Sequence, residues 1–112
     1  MYHYAAKLIR VIDGDTIAVE LDLGFDTFNK IKIRMKGINA PELSTPAGIE
    51  AKAFLEKLLD GKSLEVETSK ASPHDKYAGR WNATVWASEL GKSQVNVNLA
   101  MVDSGQAVKY TA

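Results

Sequence analysis

The spacing of the hydrophobic residues changes partway along this chain, and that change limits the folds the chain can adopt. Across residues 16–22 and again across residues 28–38, apolar side chains occupy every second position. A period of two is typical of strands that bury one face. Across residues 51–59, apolar side chains instead lie three and four positions apart, as on an amphipathic helix. The chain is therefore predicted to be mainly β with helices.

The first part of the chain predicts three antiparallel strands. Residues 7–12 are β-rich and precede Asp13-Gly14, a strong hairpin-turn signal, and Gly24 marks a second turn within residues 23–27. The inward positions of the second and third strands are predicted to be Ile17, Val19, Leu21, Ile31, Ile33 and Met35. The outward face of the third strand carries a row of cations, Lys30, Lys32, Arg34 and Lys36.

A helix is predicted next, between Thr45 as its cap and Gly61 just past its end, with Pro46 in the first helical position. Its buried stripe is predicted to be Ala51, Phe54, Leu55, Leu58 and Leu59. Two more strands are expected over residues 63–69 and 80–87, separated by a polar loop over residues 71–79. The inward face of the last strand would carry Trp81, Ala83 and Val85, with Trp81 packed in the core.

A second helix is marked by Val95, Leu99 and Val102, with Ser93 as its cap and Gly105 as its stop. The order is then three strands, a helix, two strands and a helix. This order predicts a five-stranded, partly open OB-fold barrel with two helices, and a single domain over residues 1–112.

Composition excludes several classes of site. The chain has no cysteine, so it has neither disulfides nor thiolate metal ligands. Its 14 basic and 14 acidic residues give zero net charge, which weighs against strong non-specific attraction to nucleic acid. The start lacks the apolar run of a signal peptide and no stretch is long enough to span a bilayer, so a cytoplasmic location without membrane contact is expected.

Five scattered polar residues make chemical sense together, although each has an ordinary structural reading alone. Phosphodiester hydrolysis needs a hard cation held by oxygens, a base for water, and cationic groups on the phosphate. Asp15, the amide oxygen of Asn39 and a backbone carbonyl could supply oxygen ligands, and Glu42 could be the base. Arg34 and Arg80 could each grip a phosphate through two N–H groups.

Four segments of the sequence resemble signature segments of the staphylococcal nuclease (thermonuclease) family. They are residues 11–17 (VIDGDTI), residues 34–42 (RMKGINAPE), residues 75–80 (DKYAGR) and residues 97–107, in the family's order. The resemblance implies an OB-fold enzyme that uses calcium to hydrolyse DNA and RNA and leaves 3′-phosphates.

Carried over position by position, the resemblance implies three groups of site residues. The calcium ligands would be Asp15, Asn39 and the carbonyl of Ala40. The catalytic groups would be Glu42 as general base, with Arg34 and Arg80 stabilising the phosphate in the transition state. The groups contacting the substrate's terminal phosphate would be Lys76 and Tyr77.

The sequence departs from the family pattern in ways that carry expectations. Asn39 replaces a carboxylate, so calcium affinity should be lower, and Ala78 is inserted before Arg80. The chain ends without the family's final helix, which predicts self-association that buries Val108, Tyr110 or nearby barrel surface. Neutral net charge predicts weaker attraction to DNA than in the basic members.

Two other functions stay open at this point. A catalytically silent OB-fold module could bind single-stranded nucleic acid or a protein partner, with Tyr77, Trp81 and Trp86 as stacking platforms. A structural or sugar-binding barrel would leave the carboxylates and arginines unexplained. The sequence does not decide between DNA and RNA.

Overall fold

A computed structural model of the chain describes residues 2–68, 80–90 and 92–110, with the backbone alone at Arg80. The elements in chain order are β1 (Tyr2–Asp13), β2 (Thr16–Asp22), β3 (Phe28–Met35), β4 (Ile38–Asn39), α1 (Pro46–Leu59), β5 (Ser63–Thr68), β6 (Arg80–Ser88), β7 (Val95–Asn96), α2 (Val97–Asp103) and β8 (Val108–Lys109). The predicted order of main elements is confirmed. The two-residue strands β4, β7 and β8 were not anticipated.

Five strands form the barrel. The antiparallel meander of β1, β2 and β3 is extended by β5, which pairs with β1, and by β6, which pairs with β5. The strands β3 and β6 then pair in parallel and complete the circle. The predicted five-stranded barrel is therefore confirmed, and it is closed rather than partly open.

The inward faces agree with the alternating pattern. All the predicted inward residues of β2 and β3 are buried except Ile31, which is partly buried against the core. On β6, Ala83 and Val85 are buried, but Trp81 keeps 37% of its surface exposed. The prediction that Trp81 packs in the core is wrong, because it lies at the start of β6, where the strand reaches the edge of the core.

The helix α1 packs its buried side into the core and begins as predicted. Thr45 accepts a hydrogen bond from the Gly48 N–H at 3.0 Å, which satisfies one of the free donors of the first turn. Gly61 follows the helix with φ +69°, a conformation that glycine adopts without strain. The buried side of the helix is formed by Ala51, Leu55 and Leu59, with Phe54 and Leu58 partly buried.

The second helix differs from its prediction at its start and in its buried face. Asn96, not Ser93, caps α2 by accepting a hydrogen bond from the Leu99 N–H at 3.1 Å. Val95 and Leu99 are 47% and 51% exposed, and the buried apolar residues are Val97 and Met101. Of the three residues that predicted this helix, Val102 is partly buried against the core, Leu99 is exposed, and Val95 lies in a short strand before the helix. Gly105 follows the helix at φ +81°, as the sequence predicts.

One polar residue holds α2 to the barrel. The side chain of Asn98 is buried; its oxygen accepts a hydrogen bond from the Val85 N–H at 3.0 Å. Its amide donates to the carbonyls of Lys36 at 2.8 Å and Ala83 at 3.2 Å. Asn98 thus joins the helix to β6 and to the turn after β3, next to the strand that carries Arg34.

The last described strand, β8, pairs with β4 and leaves Val108 64% exposed, while Tyr110 just after it is 44% exposed. Self-association over these residues stays a prediction. The predicted polar loop over residues 71–79 lies outside the described residues. Among the helices of the described part, none has the length and apolar character needed to cross a membrane.

Candidate active site

The centre of the site is the tight turn between β1 and β2. Asp13 ends β1, and its carboxylate accepts a hydrogen bond from the Asp15 N–H at 3.1 Å, so the first acid of the turn orients the second. Burial raises the pKa of Asp13 above its ordinary value of 3.8, and its side-chain contact with Asp15 raises it further.

Gly14 brings three elements together at this turn. A Cβ atom at this position would lie 2.7 Å from the Cβ of Ala40 and 2.8 Å from the Cβ of Ala51. Both distances are too short for carbon atoms in contact, so only glycine fits here without displacing its neighbours. The β1–β2 turn, the end of β4 and the helix α1 can therefore meet closely, and Asp15 reaches the backbone of Ala40.

Asp15 has its carboxylate fixed from two sides. Its Oδ2 accepts a hydrogen bond from the Ala40 N–H at 2.9 Å, and its Oδ1 accepts one from the Thr16 hydroxyl at 3.0 Å. Only 7% of the residue is exposed. Because each carboxylate oxygen has more than one acceptor direction, these bonds leave room for a further partner such as a metal ion.

Arg34 projects from β3 toward the same carboxylate. Its Nη1 donates to the carbonyls of Met35 at 3.0 Å and Ile38 at 2.9 Å, which lie on either side of the two-residue connection between β3 and β4. Its Nη2 donates to the side-chain oxygen of Asn39 at 3.3 Å and lies 3.6 Å from Oδ2 of Asp15. The guanidinium is only 14% exposed and is thus held in position rather than free in solvent.

The predicted metal ligands therefore lie in one place. The side-chain oxygens of Asp15 and Asn39 face the same nitrogen of Arg34, and Ala40 is bonded to Asp15 through its N–H. The side-chain oxygens of Asp15 and Asn39 are of the kind that hard cations prefer as ligands. No three His, Cys, Asp or Glu side chains within the described ranges gather closely enough to hold a metal by themselves.

Glu42 is positioned through its backbone. Its carbonyl accepts hydrogen bonds from the Thr45 N–H at 3.0 Å and the Thr45 hydroxyl at 2.7 Å. Gly48 lies against this carbonyl so closely that a Cβ atom would be 1.8 Å from the oxygen. The first turn of α1 therefore fixes Glu42 two residues after Ala40, and the Glu42 residue is exposed to solvent.

The third group of predicted residues is described only in part. Arg80 begins β6, and the parallel register pairs its backbone with Lys32, while Asn82 pairs with Arg34. The strand of Arg80 thus adjoins the strand of Arg34. The side chain of Arg80, and all of Lys76, Tyr77 and the inserted Ala78, lie outside the described residues.

Three residues shape the site through contacts that the sequence does not reveal. Gly14 and Thr16 belong to the acidic turn. The sequence predicts a hairpin there, but it does not show which residues these two contact. Gly48 lies in the first turn of a helix, where glycine lowers helix stability. A glycine retained at that cost signals close approach of another backbone segment.

The chain is similar in sequence to proteins described as nucleases. A sequence model for the family described as staphylococcal nuclease homologue matches residues 32–112, more than half of the chain. The chain is similar to a thermonuclease of Staphylococcus hyicus, with 37% identity over 93% of this chain and 59% of that protein. It is also similar to an uncharacterized endonuclease of Escherichia coli O157:H7, with 33% identity over 93% of this chain and 60% of that protein.

A rice protein described as a probable staphylococcal-like nuclease is 42% identical over 65% of this chain and 17% of its own length. The chain thus spans about 60% of the length of its staphylococcal and Escherichia coli relatives. These similarities show that the chain belongs to the staphylococcal nuclease family, and the closed barrel agrees with this.

Proposed function

We propose that this protein is a calcium-dependent nuclease that hydrolyses phosphodiester bonds of DNA, RNA or both. The observation that carries the proposal is the guanidinium of Arg34, held by two backbone carbonyls and aligned beside Asp15 and Asn39. A fixed cation beside a carboxylate and neutral oxygens is an arrangement suited to a phosphate that shares a metal ion with the protein.

The residues would have separate roles, which follow from their charges. Asp15, the Asn39 oxygen and the Ala40 carbonyl would hold the cation, and calcium bound there would neutralise phosphate charge and polarise water. Arg34 would donate to the phosphate oxygens as their charge grows. Its Nη1 would stay on the Met35 and Ile38 carbonyls, and its Nη2 would turn from Asn39 and Asp15 to the phosphate when those oxygens hold the metal ion.

Glu42 would be the general base. As water attacks phosphorus, the carboxylate of Glu42 would accept the water's proton and the bond from phosphorus to the 5′-oxygen would break. The 5′-oxygen would leave as a hydroxyl after taking a proton from solvent, and the phosphate would stay on the 3′-oxygen. The exposure of Glu42 and its fixed backbone support this role, since water reaches the carboxylate freely. Arg80 would add a second cation on the phosphate, with Lys76 and Tyr77 on the terminal phosphate.

Asn39 sets the expected calcium range. A site with one carboxylate and neutral oxygens has lower affinity than one with two carboxylates, so we expect activity to need calcium at about the millimolar level. Calorimetric titration with calcium, with and without a nucleotide, tests the site directly. Absence of binding in both cases would contradict the calcium proposal.

The activity itself is tested by digestion of plasmid DNA and of RNA with calcium and with EDTA. We expect cleavage with calcium only.

Arg34→Lys and Glu42→Gln should each lower turnover on the order of 100-fold or more, with nucleic-acid binding largely retained. Glu56→Gln is the matched control, since Glu56 is exposed on α1 and the charge change is the same as in Glu42→Gln. Binding that falls as far as turnover in Arg34→Lys would mean that Arg34 only anchors the substrate.

A silent binding module is the alternative, and the partly exposed Trp81 favours it as a base-stacking surface. Trp86 supports it less, because its indole N–H donates to Glu67 at 2.9 Å and the ring is partly buried. Binding of single strands without hydrolysis at any calcium concentration would decide for the module.

A further inference from the structure

The outer face of the β1–β2–β3 meander carries cations in register. In paired strands, residues opposite each other project from the same side of the sheet. Arg10 pairs with Ala18, and Ala18 pairs with Lys32. Lys7 and Lys30 flank Glu20 in the same way. The neighbouring positions along these strands form the buried core, so these polar residues face outward.

A bulge in β1 is needed for this arrangement. The pairing passes from Leu8 opposite Val19 to Arg10 opposite Ala18, so Ile9 has no partner of its own. Without the extra residue, Lys7 and Arg10, three positions apart, would project from opposite sides of the sheet. The bulge therefore adds Arg10 to the outer face.

The charge of this surface differs from the charge of the chain. We call the surface the meander face and define it by the outward residues of β1, β2 and β3, namely Lys7, Arg10, Ala18, Glu20, Asp22, Phe28, Lys30, Lys32 and Arg34. It has five cations and two acids, although the chain as a whole is neutral. Its four cations other than Arg34 form no ion pair with another residue of the described part.

The cations of β3 are evenly spaced from the candidate active site outward. Arg34, Lys32 and Lys30 occupy every second position, which places successive Cα atoms roughly 7 Å apart along the strand. The same row ends at Phe28, whose ring is 57% exposed, roughly 20 Å from Arg34. Ala18 beside Lys32 has no side chain beyond Cβ, so no long side chain projects from β2 next to Lys32.

We propose that the meander face is a binding track for single-stranded nucleic acid that leads into the active site, an inference that rests on the proposed nuclease function. Successive phosphates lie on Lys32 and Lys30, and an unpaired base stacks on Phe28. A single strand fits because stacking needs a base with a free face and the cations form a single file. Oligonucleotide binding to the face of the second and third strands is general for OB-fold barrels.

Binding of a labelled 15-nucleotide single strand, measured against salt concentration in EDTA, tests the track apart from catalysis. For the double variant Lys30→Gln/Lys32→Gln, the slope of log affinity against log salt should decrease by about 1.4, because each single-strand phosphate contact contributes about 0.7. At physiological salt the affinity should fall on the order of 10-fold. The control is Lys52→Gln/Lys57→Gln on α1, which removes the same charge away from the track.

Two further measurements separate a track from a general charge effect. In the Lys30→Gln/Lys32→Gln variant, KM for the 15-nucleotide strand should rise about as far as the affinity falls, while kcat/KM for a dinucleotide-sized reporter should not change. Phe28→Leu should weaken single-strand binding about 5-fold or more through lost stacking. Phe25→Leu, at the fully exposed hairpin tip, should not.

Equal slopes for the two double lysine variants would overturn the track, and so would an equal loss of affinity for a duplex of the same length. A loss on the dinucleotide reporter would likewise overturn it, because the lysines would then act at the reacting phosphate. If the salt slopes change as expected but the wild-type protein hydrolyses no nucleic acid, the track is supported and the nuclease proposal is contradicted. Failure of the track and failure of the nuclease proposal are therefore distinguishable.

Discussion

Replacing Asn39 by aspartate tests the metal site most directly. The side-chain oxygen of Asn39 is 3.3 Å from Nη2 of Arg34, and Oδ2 of Asp15 is 3.6 Å from the same nitrogen. Aspartate has almost the same size and keeps the accepting oxygen, so Asn39→Asp should fold without repacking. The change adds one negative charge where a cation would bind, and alters little else.

The size of the effect follows from charge and distance. Two unit charges 4 Å apart attract by about 1 kcal/mol in water, so a divalent ion near the new carboxylate gains about 2 kcal/mol. This corresponds to calcium affinity roughly 30-fold higher. The bond from Arg34 then joins two opposite charges and holds the guanidinium more firmly. Repulsion from Asp15 opposes the change without calcium and is relieved when calcium binds.

The assay is hydrolysis rate against calcium concentration, paired with calorimetry. The calcium concentration for half-maximal rate should fall roughly 30-fold in Asn39→Asp, and the rate at saturating calcium should change little. Asn29→Asp is the control, because Asn29 is exposed at the far end of β3 and the chemical change is identical. An unchanged midpoint would refute the assignment of Asn39 to the metal site. Rates that stay undetectable at every calcium concentration would move the assignment to a binding module.

Three further substitutions test how the site is held. Gly48→Ala places a Cβ against the Glu42 carbonyl, so it should cost at least about 1–3 kcal/mol in urea unfolding and lower turnover by displacing Glu42; full activity would contradict this. Asn98→Ala leaves the buried Val85 N–H without its acceptor and should cost about 2–4 kcal/mol in the same assay. The raised pKa of Asp13 means that its stabilising contribution is complete at low pH and is lost as pH rises through the folded-state pKa. Asp13→Asn should therefore be more stable than the wild type at neutral pH, and the Tm difference should disappear below pH 3.8; a difference independent of pH would contradict this.

The parts of the fold that follow from local patterns were predictable. Alternation identifies the inward face of a strand, and the Thr45 cap and Gly61 define α1, because these signals depend on neighbours in sequence. The helix α2 is only seven residues long and follows a two-residue strand. In so short a segment, the four-residue spacing of Val95 and Leu99 resembles a buried face, whereas the buried apolar residues of the helix are Val97 and Met101.

The site was predictable in its residue types and not in its contacts. The outward position of Arg34 follows from alternation. Its guanidinium, however, bonds to the carbonyls of Met35 and Ile38 at the two ends of the turn after β3, and no local pattern defines the path of that turn. The bond from the Ala40 N–H to Asp15 joins two segments far apart in sequence. This hydrogen bond can form because Gly14 lacks a side chain. In the sequence, a glycine in a turn gives no sign of whether another segment packs against it.

The contact of Gly14 with Ala40 and Ala51 also determines how the protein should lose activity. Since the acidic turn, the end of β4 and α1 pack together at Gly14, opening any one of them breaks its contacts with the other two. Local fluctuations that expose part of the site are then rare, and exchange of the Ala40 amide hydrogen should require the global unfolding event. On heating, catalysis and tertiary structure should disappear in one cooperative transition, with no folded but inactive state between them.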